Sequence, residues 1–166
     1  MSPLVTALTD QGGGAVYMGL YPGKLMPVIP DRSDSALGQR GAVLVVDDEE
    51  RVRHLIARAL TGAGYEVLEA ADGTQALALL ESLGDRLRLA IIDVVMPGVT
   101  GRELAATAQD RWPRLPIIFI SGYPLSYLEE RDLFDPGIPL LKKPFLPSLL
   151  LERVEDLLRR GPVSAG

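Results

Sequence analysis

The chain has 166 residues, 47% hydrophobic and 23% charged, with a net charge of -5 and a pI of about 4.9. That is one ordinary domain and a tail, with enough apolar material for a core and too much acid for a basic nucleic-acid grip. With no cysteine and one histidine, disulfides, thiolate metal sites, cysteine nucleophiles and multi-histidine metal sites are excluded, which leaves carboxylates, hydroxyls, lysine and backbone groups to do chemistry.

Residues 1–40 hold six Gly and four Pro, and their three acids balance their three bases, so the whole of the -5 falls on residues 41–166. This segment predicts no helix, at most a short strand near Ala15–Met18, and a polar linker from Asp31 to Arg40. It is read as a flexible extension. From Ala42 the pattern is regular. Ala42–Val46 is an apolar run of strand length, and Glu50–Thr61 places Val52, Leu55, Ile56, Ala59 and Leu60 on one helical stripe ended by Gly62 and Gly64. Glu66–Ala70 predicts a strand. Asp72-Gly73 opens a helix to Leu83 with Ala76, Leu77 and Leu80 inward, and Leu89–Ile92 is a second buried strand ending at Asp93. A helix over Gly101–Trp112 turns Leu104, Ala105 and Ala108 inward. Pro116–Ile120 is a strand ending at Ser121-Gly122, and a weak helix over Tyr127–Phe134 is crowded by Pro124 and Pro136. Ile138–Lys142 is the last strand. Pro147–Arg160 is the last helix, with Leu150, Val154, Leu157 and Leu158 inward, a proline suited to the first turn, and a poor N-cap in Leu146. Residues 161–166 are read as a disordered tail. The chain carries neither an 18-residue apolar run nor a signal-peptide pattern at its start, so a cytoplasmic protein without a membrane span is expected.

Five apolar strands alternating with helices argue for an α/β fold, an open doubly wound parallel sheet with helices on both faces. Such sheets bind ligands outside the carboxyl ends of their strands. The residues at those ends are Asp47, Asp48, Glu49 and Glu50 after the first strand, Asp93 after the third, Ser121 after the fourth, and Lys142, Lys143 and Pro144 after the fifth. Singly, each is an ordinary turn former, helix cap or solvated lysine. Together they bring three carboxylates against a lysine and a hydroxyl. Converging carboxylates repel one another, and a hard divalent cation relieves that repulsion. Oxygen donors favour Mg2+ over zinc or copper. The lysine and hydroxyl suit phosphoryl oxygens, and a carboxylate can itself be the nucleophile.

Val43–Glu50 (VLVVDDEE), Ile91–Gly98 (IIDVVMPG) with Thr100-Gly101, Phe119–Gly122 (FISG) and Lys143–Phe145 (KPF) carry a family resemblance. In this order and spacing they resemble the receiver domain of two-component response regulators over about residues 41–160. Gly101–Leu104 (GREL), Ser121-Gly-Tyr and Asp135-Pro-Gly137 are similar to the receiver at the C-terminus of hybrid sensor histidine kinases. The resemblance implies a CheY-like, flavodoxin-like fold with strand order 2-1-3-4-5. It implies that Asp93 is the phosphoacceptor for a histidine kinase or a histidine phosphotransfer protein. It assigns Mg2+ to Asp48 directly, to Asp47 mainly through water, and to Asp93 and the Val95 backbone carbonyl. Lys143 pairs with the phosphoryl oxygens, Ser121 hydrogen-bonds the phosphoryl group, and the Lys143–Pro144 bond is cis, while Lys142 points away. On this reading the chain is no enzyme beyond its own phosphorylation and dephosphorylation.

One departure concerns output. The family places an aromatic residue three positions before the active lysine, and here that switch position is Leu140; Tyr123, after the fourth strand, is no obvious substitute. A module that shuttles or drains phosphate without a large conformational signal is therefore an alternative, as is a pseudo-receiver that is never phosphorylated. A dinucleotide-binding domain is disfavoured, because Asp-Asp-Glu-Glu stands where that fold needs a glycine-rich turn. His54 is expected on a helix surface and Trp112 at the core edge. Leu146 and Leu151 are expected in the core, with a partner or weak homodimer surface as the alternative. No nucleic-acid or membrane partner is expected. After Arg160 too few residues remain for an effector, so signalling by protein–protein contact is expected.

Overall fold

A computed structural model describes residues 5–9, 15–21, 24–27 and 40–161. The first three ranges are strands β1 (Val5–Thr9), β2 (Ala15–Tyr21) and β3 (Lys24–Pro27), paired antiparallel in the order β1-β2-β3. The expected short strand at Ala15–Met18 is therefore longer and has neighbours on both sides. The physical reason is that Val5, Thr6, Thr9, Val16, Tyr17 and Tyr21 favour extended backbone, which outweighs the glycines and prolines of the segment. The expected linker, apart from Arg40, and residues 162–166 of the expected tail lie outside the described residues.

The second sheet holds β4 (Ala42–Val46), β5 (Glu66–Ala70), β6 (Leu87–Asp93), β7 (Ile117–Ser121) and β8 (Leu140–Lys142). All its pairings are parallel, in the order β5-β4-β6-β7-β8. Counted from β4, this is the expected 2-1-3-4-5. The helices are α1 (Glu50–Gly62), α2 (Gly73–Leu83), α3 (Gly101–Arg111), α4 (Leu125–Glu130) and α5 (Pro147–Arg160).

The apolar runs are continuous because each strand feeds two cores. Leu44, Val46, Ala90, Ile92, Ile117 and Phe119 pack with Ala76, Leu80, Leu104, Ala108 and Leu128 of α2, α3 and α4. The alternate residues Val43, Val45, Leu89, Ile91, Ile118 and Ile120 pack with Ile56, Leu60, Leu150 and Val154 of α1 and α5. Period-two alternation thus sorts side chains between two buried faces. The register of β4 on β6 slips between Ala42 and Val43, which face Leu87 and Leu89, so Arg88 is the extra residue and turns outward.

Several expectations shift in detail. Leu55, read as core, is 45% exposed, and the α1 stripe runs through Ile56 and Leu60 instead. Leu151 packs on the core, whereas Leu146 is 71% exposed. Helix α4 begins two residues before the expected Tyr127, with Pro124 as its N-cap, and stops at Glu130. Its end follows from Asp132, whose φ of +55° turns the chain back so that the Leu133 amide bonds to the Leu128 carbonyl. Leu146 caps α5 without a side-chain bond, and Pro147 opens it. His54 is surface-exposed on α1, and Trp112 packs at the core edge. Among the described residues, no helix is long and apolar enough to cross a membrane.

Candidate phosphoryl and cation site

Strand registry assembles the site. Asp47 follows β4, Asp93 ends β6, Ser121 ends β7 and Lys143 follows β8. The Val94 amide donates to the Ile120 carbonyl at 3.0 Å and the Lys143 amide to the Ser121 carbonyl at 2.8 Å, which aligns the ends of β6, β7 and β8. The Lys143–Pro144 peptide is cis.

The carboxylates of Asp47, Asp48 and Asp93 converge, one oxygen of each lying within 4.8 Å of the others. Asp47 is fully buried, Asp93 is 6% exposed, and Asp48 is open to solvent. Lys143 Nζ bridges two of them, 2.6 Å from Asp47 Oδ2 and 3.3 Å from Asp93 Oδ2. The other Asp47 oxygen, Oδ1, accepts the Glu49 amide at 2.9 Å. Ser121 is buried, and its hydroxyl oxygen accepts the Tyr123 amide at 3.1 Å. Val95 is half-buried in the turn two residues beyond Asp93, Leu140 opens β8 and packs at the core edge, and Lys142 is exposed.

Electrostatics at the centre are unbalanced. Burial, then the charge of Asp47, raises the Asp93 carboxyl to about 7 against the pull of Lys143. Burial pulls the Lys143 ammonium down, but its bond to Asp47 and the charges of Asp93 and Asp47 outweigh that and leave it above its usual range. One lysine facing three acids leaves net negative charge in a pocket closed to water on most sides. The donor set is all oxygen, with one acid exposed and two buried. That fits a hard divalent cation such as Mg2+, which keeps part of its water shell.

Three contributions escaped the sequence reading. Gly101 is one: a Cβ there would stand 2.1 Å from the Asp93 carbonyl oxygen and 2.8 Å from Val94 Cα. Only glycine lets α3 close against the end of β6, where the Gly101 amide bonds to the Val94 carbonyl at 2.9 Å. A capping box is the second. The Thr100 hydroxyl accepts the Glu103 amide at 3.2 Å while Glu103 accepts the Thr100 amide at 2.8 Å, and this anchors the start of α3. The Thr-x-x-Glu spacing was the available signal. Arg53 is the third; it donates to the Asp47 backbone carbonyl at 2.8 Å, and no motif flags it.

Residues 43–155 match the response regulator receiver domain model. The sensor kinase CckA of Brucella abortus is 36% identical over 124 residues, covering 75% of this chain and 13% of that protein. The crystal structure of the receiver domain from the hybrid histidine kinase CckA superposes with a TM-score of 0.61 at 41% identity, covering 71% of this chain and 99% of that one. The response regulator TrrA of Thermotoga maritima, in complex with Mg(2+)-BeF, superposes with a TM-score of 0.59 at 30% identity, covering 70% of this chain and 97% of that one. The chain thus spans a small part of the sensor kinase and nearly all of the isolated receivers. By sequence, sheet order and strand-end residues together, it belongs to the response regulator receiver domain family of two-component signalling.

Proposed function

We propose that this receiver takes a phosphoryl group onto Asp93 from a phosphohistidine of a histidine kinase or histidine phosphotransfer protein, in the cytoplasm, with Mg2+ bound. The observation that carries the proposal is the convergence of the Asp47, Asp48 and Asp93 carboxylates with Lys143 bridging Asp47 and Asp93. Asp47, Asp48, Asp93 and the Val95 carbonyl would hold the cation, which offsets negative charge on the carboxylates and on the incoming group. An ionised Asp93 oxygen attacks phosphorus. The P–N bond breaks, and its electron pair leaves on the imidazole nitrogen, which takes up a proton. Lys143, already 3.3 Å from Asp93, faces the charge that arrives on the phosphoryl oxygens. The Ser121 hydroxyl, which accepts from Tyr123, keeps its own proton to donate to the new aspartyl phosphate.

Incubation with acetyl phosphate and Mg2+, followed by intact-mass and peptide mass spectrometry, tests this. A single phosphate adduct on Asp93, lost in Asp93→Asn, is expected. No adduct, or an adduct that survives Asp93→Asn, overturns it and favours the pseudo-receiver. Leu140, an aliphatic residue packed at the core edge of β8, favours a second reading of the output: phosphate is shuttled or drained with little conformational signal.

A further inference from the structure

Arg53 lies outside the acid–lysine–serine set, yet it grips the loop that carries two of the acids. Its side chain is 14% exposed, and Nη1 donates to the Asp47 carbonyl at 2.8 Å. That carbonyl belongs to the peptide joining Asp47 to Asp48. The Asp47 amide is held as well, donating to the Ala70 carbonyl at 3.1 Å. With its N–H and C=O both held, the Asp47 backbone has one orientation. The Asp48 carboxylate, exposed and unlike Asp47 not gripped by Lys143, inherits its direction from that peptide plane.

On its other side the guanidinium faces a carboxylate at ion-pair distance, without a hydrogen bond to it. Nε lies 3.6 Å from Glu69 Oε1, near the end of edge strand β5. The hold on the loop is therefore the Nη1 bond to the Asp47 carbonyl, and the fixed donor geometry of a planar guanidinium makes it a stiffer strut than a flexible ammonium. Arg53 thus ties α1 to the end of β4 at the one loop where two acids must diverge from adjacent backbone positions and still converge on a common point.

We infer that Arg53 is a positioning residue for the cation site: it sets the Asp47–Asp48 peptide plane so that the buried and the exposed carboxylate converge. The inference rests on the reading of Asp47, Asp48 and Asp93 as a Mg2+ site. Two roles for Arg53 differ in sign. As a mere positive charge near a cation it opposes binding, so removing it would tighten Mg2+. As a strut it supports binding, so removing it weakens Mg2+.

The test is a Mn2+ titration of the full chain read by the electron paramagnetic resonance signal of free Mn2+, with Mg2+ as competitor. Arg53→Met keeps the aliphatic stem and loses the donors; it is expected to weaken both ions by about 10-fold, the usual scale for losing a group that orients a metal ligand. Arg53→Lys keeps the charge without the planar fork and is expected to recover little of that loss. Arg53→Lys, which keeps the stem and the charge, serves as the measurement if Arg53→Met loses its far-ultraviolet circular dichroism. A parent chain that leaves Mn2+ free overturns the cation site itself. A parent that binds, beside folded variants that bind equally or more tightly, overturns the role of Arg53 alone.

Discussion

Replacing Asp93 should make the cation-free protein more stable, a consequence opposite to the loss expected for a buried polar group. Asp93 is raised from 3.8 to about 7 by burial and by Asp47. An acid whose folded pKa lies above its unfolded value binds more protons when folded. Stability is therefore fullest below about pH 4 and falls as pH rises through about 7. A gap of about three units corresponds to about 4 kcal/mol at most at pH 8, and solvent at the open Asp48 side of the pocket reduces that to ~1–3 kcal/mol. Asp93→Asn removes the charge and leaves a carbonyl oxygen that still accepts from Lys143. In chelator at pH 8 the variant should melt roughly 4–12 °C above the parent, and the difference should shrink towards pH 5. Mg2+ should then raise the melting temperature of the parent much more than that of the variant. Calorimetric scans from pH 5 to 8, with chelator and with Mg2+, measure both effects. A chelated Asp93→Asn no more stable than the parent at pH 8, or a difference that stays constant to pH 5, would refute the assignment of Asp93 as a strained, desolvated charge.

Gly101→Ala drives a methyl into the Asp93 carbonyl, a backbone atom that cannot step aside; urea unfolding should show a loss of ~2–4 kcal/mol, and acetyl phosphate labelling of Asp93 should slow. Thr100→Ala removes half of the capping box at the same helix start and should cost ~1 kcal/mol with labelling retained, so an equal effect on labelling from both variants would refute the distinction. Phe119→Ala empties a fully buried position in β7 and should cost ~3–5 kcal/mol in the same unfolding assay.

The parts legible in the sequence were those where local pattern and tertiary demand agree. Ala42–Val46 forms a strand over the residues its apolar run marks, because a strand buried on both faces leaves no polar position to blur its ends; the half-buried edge strand Glu66–Ala70 keeps its expected bounds with glutamates at two of its five positions. Asp47, Asp48, Asp93, Ser121 and Lys143 stood out because a parallel sheet sends the ends of all its strands to one edge. The misses share a different cause. Leu55 and Ile56 are equally apolar neighbours, and helical periodicity cannot tell which of two adjacent residues faces β4. The short α4 ends at a left-handed Asp132, a conformation set by the bond from Leu133 back to Leu128 rather than by a residue that announces it.

Arg53 and Gly101 belong to a third kind. Their contributions lie in what they approach, a carbonyl six residues earlier for Arg53 and the backbone of the β6 end for Gly101. Spacing along the chain does not encode such an approach until the sheet order is known. The reactive groups of this domain were therefore readable as chemistry, while the groups that aim them became readable only as geometry. A pseudo-receiver could keep all the former and still fail through the latter. On that ground, phosphoacceptor competence in this family is better judged from the Arg53–Asp47 and Gly101–Val94 contacts together with the acids than from the acids alone.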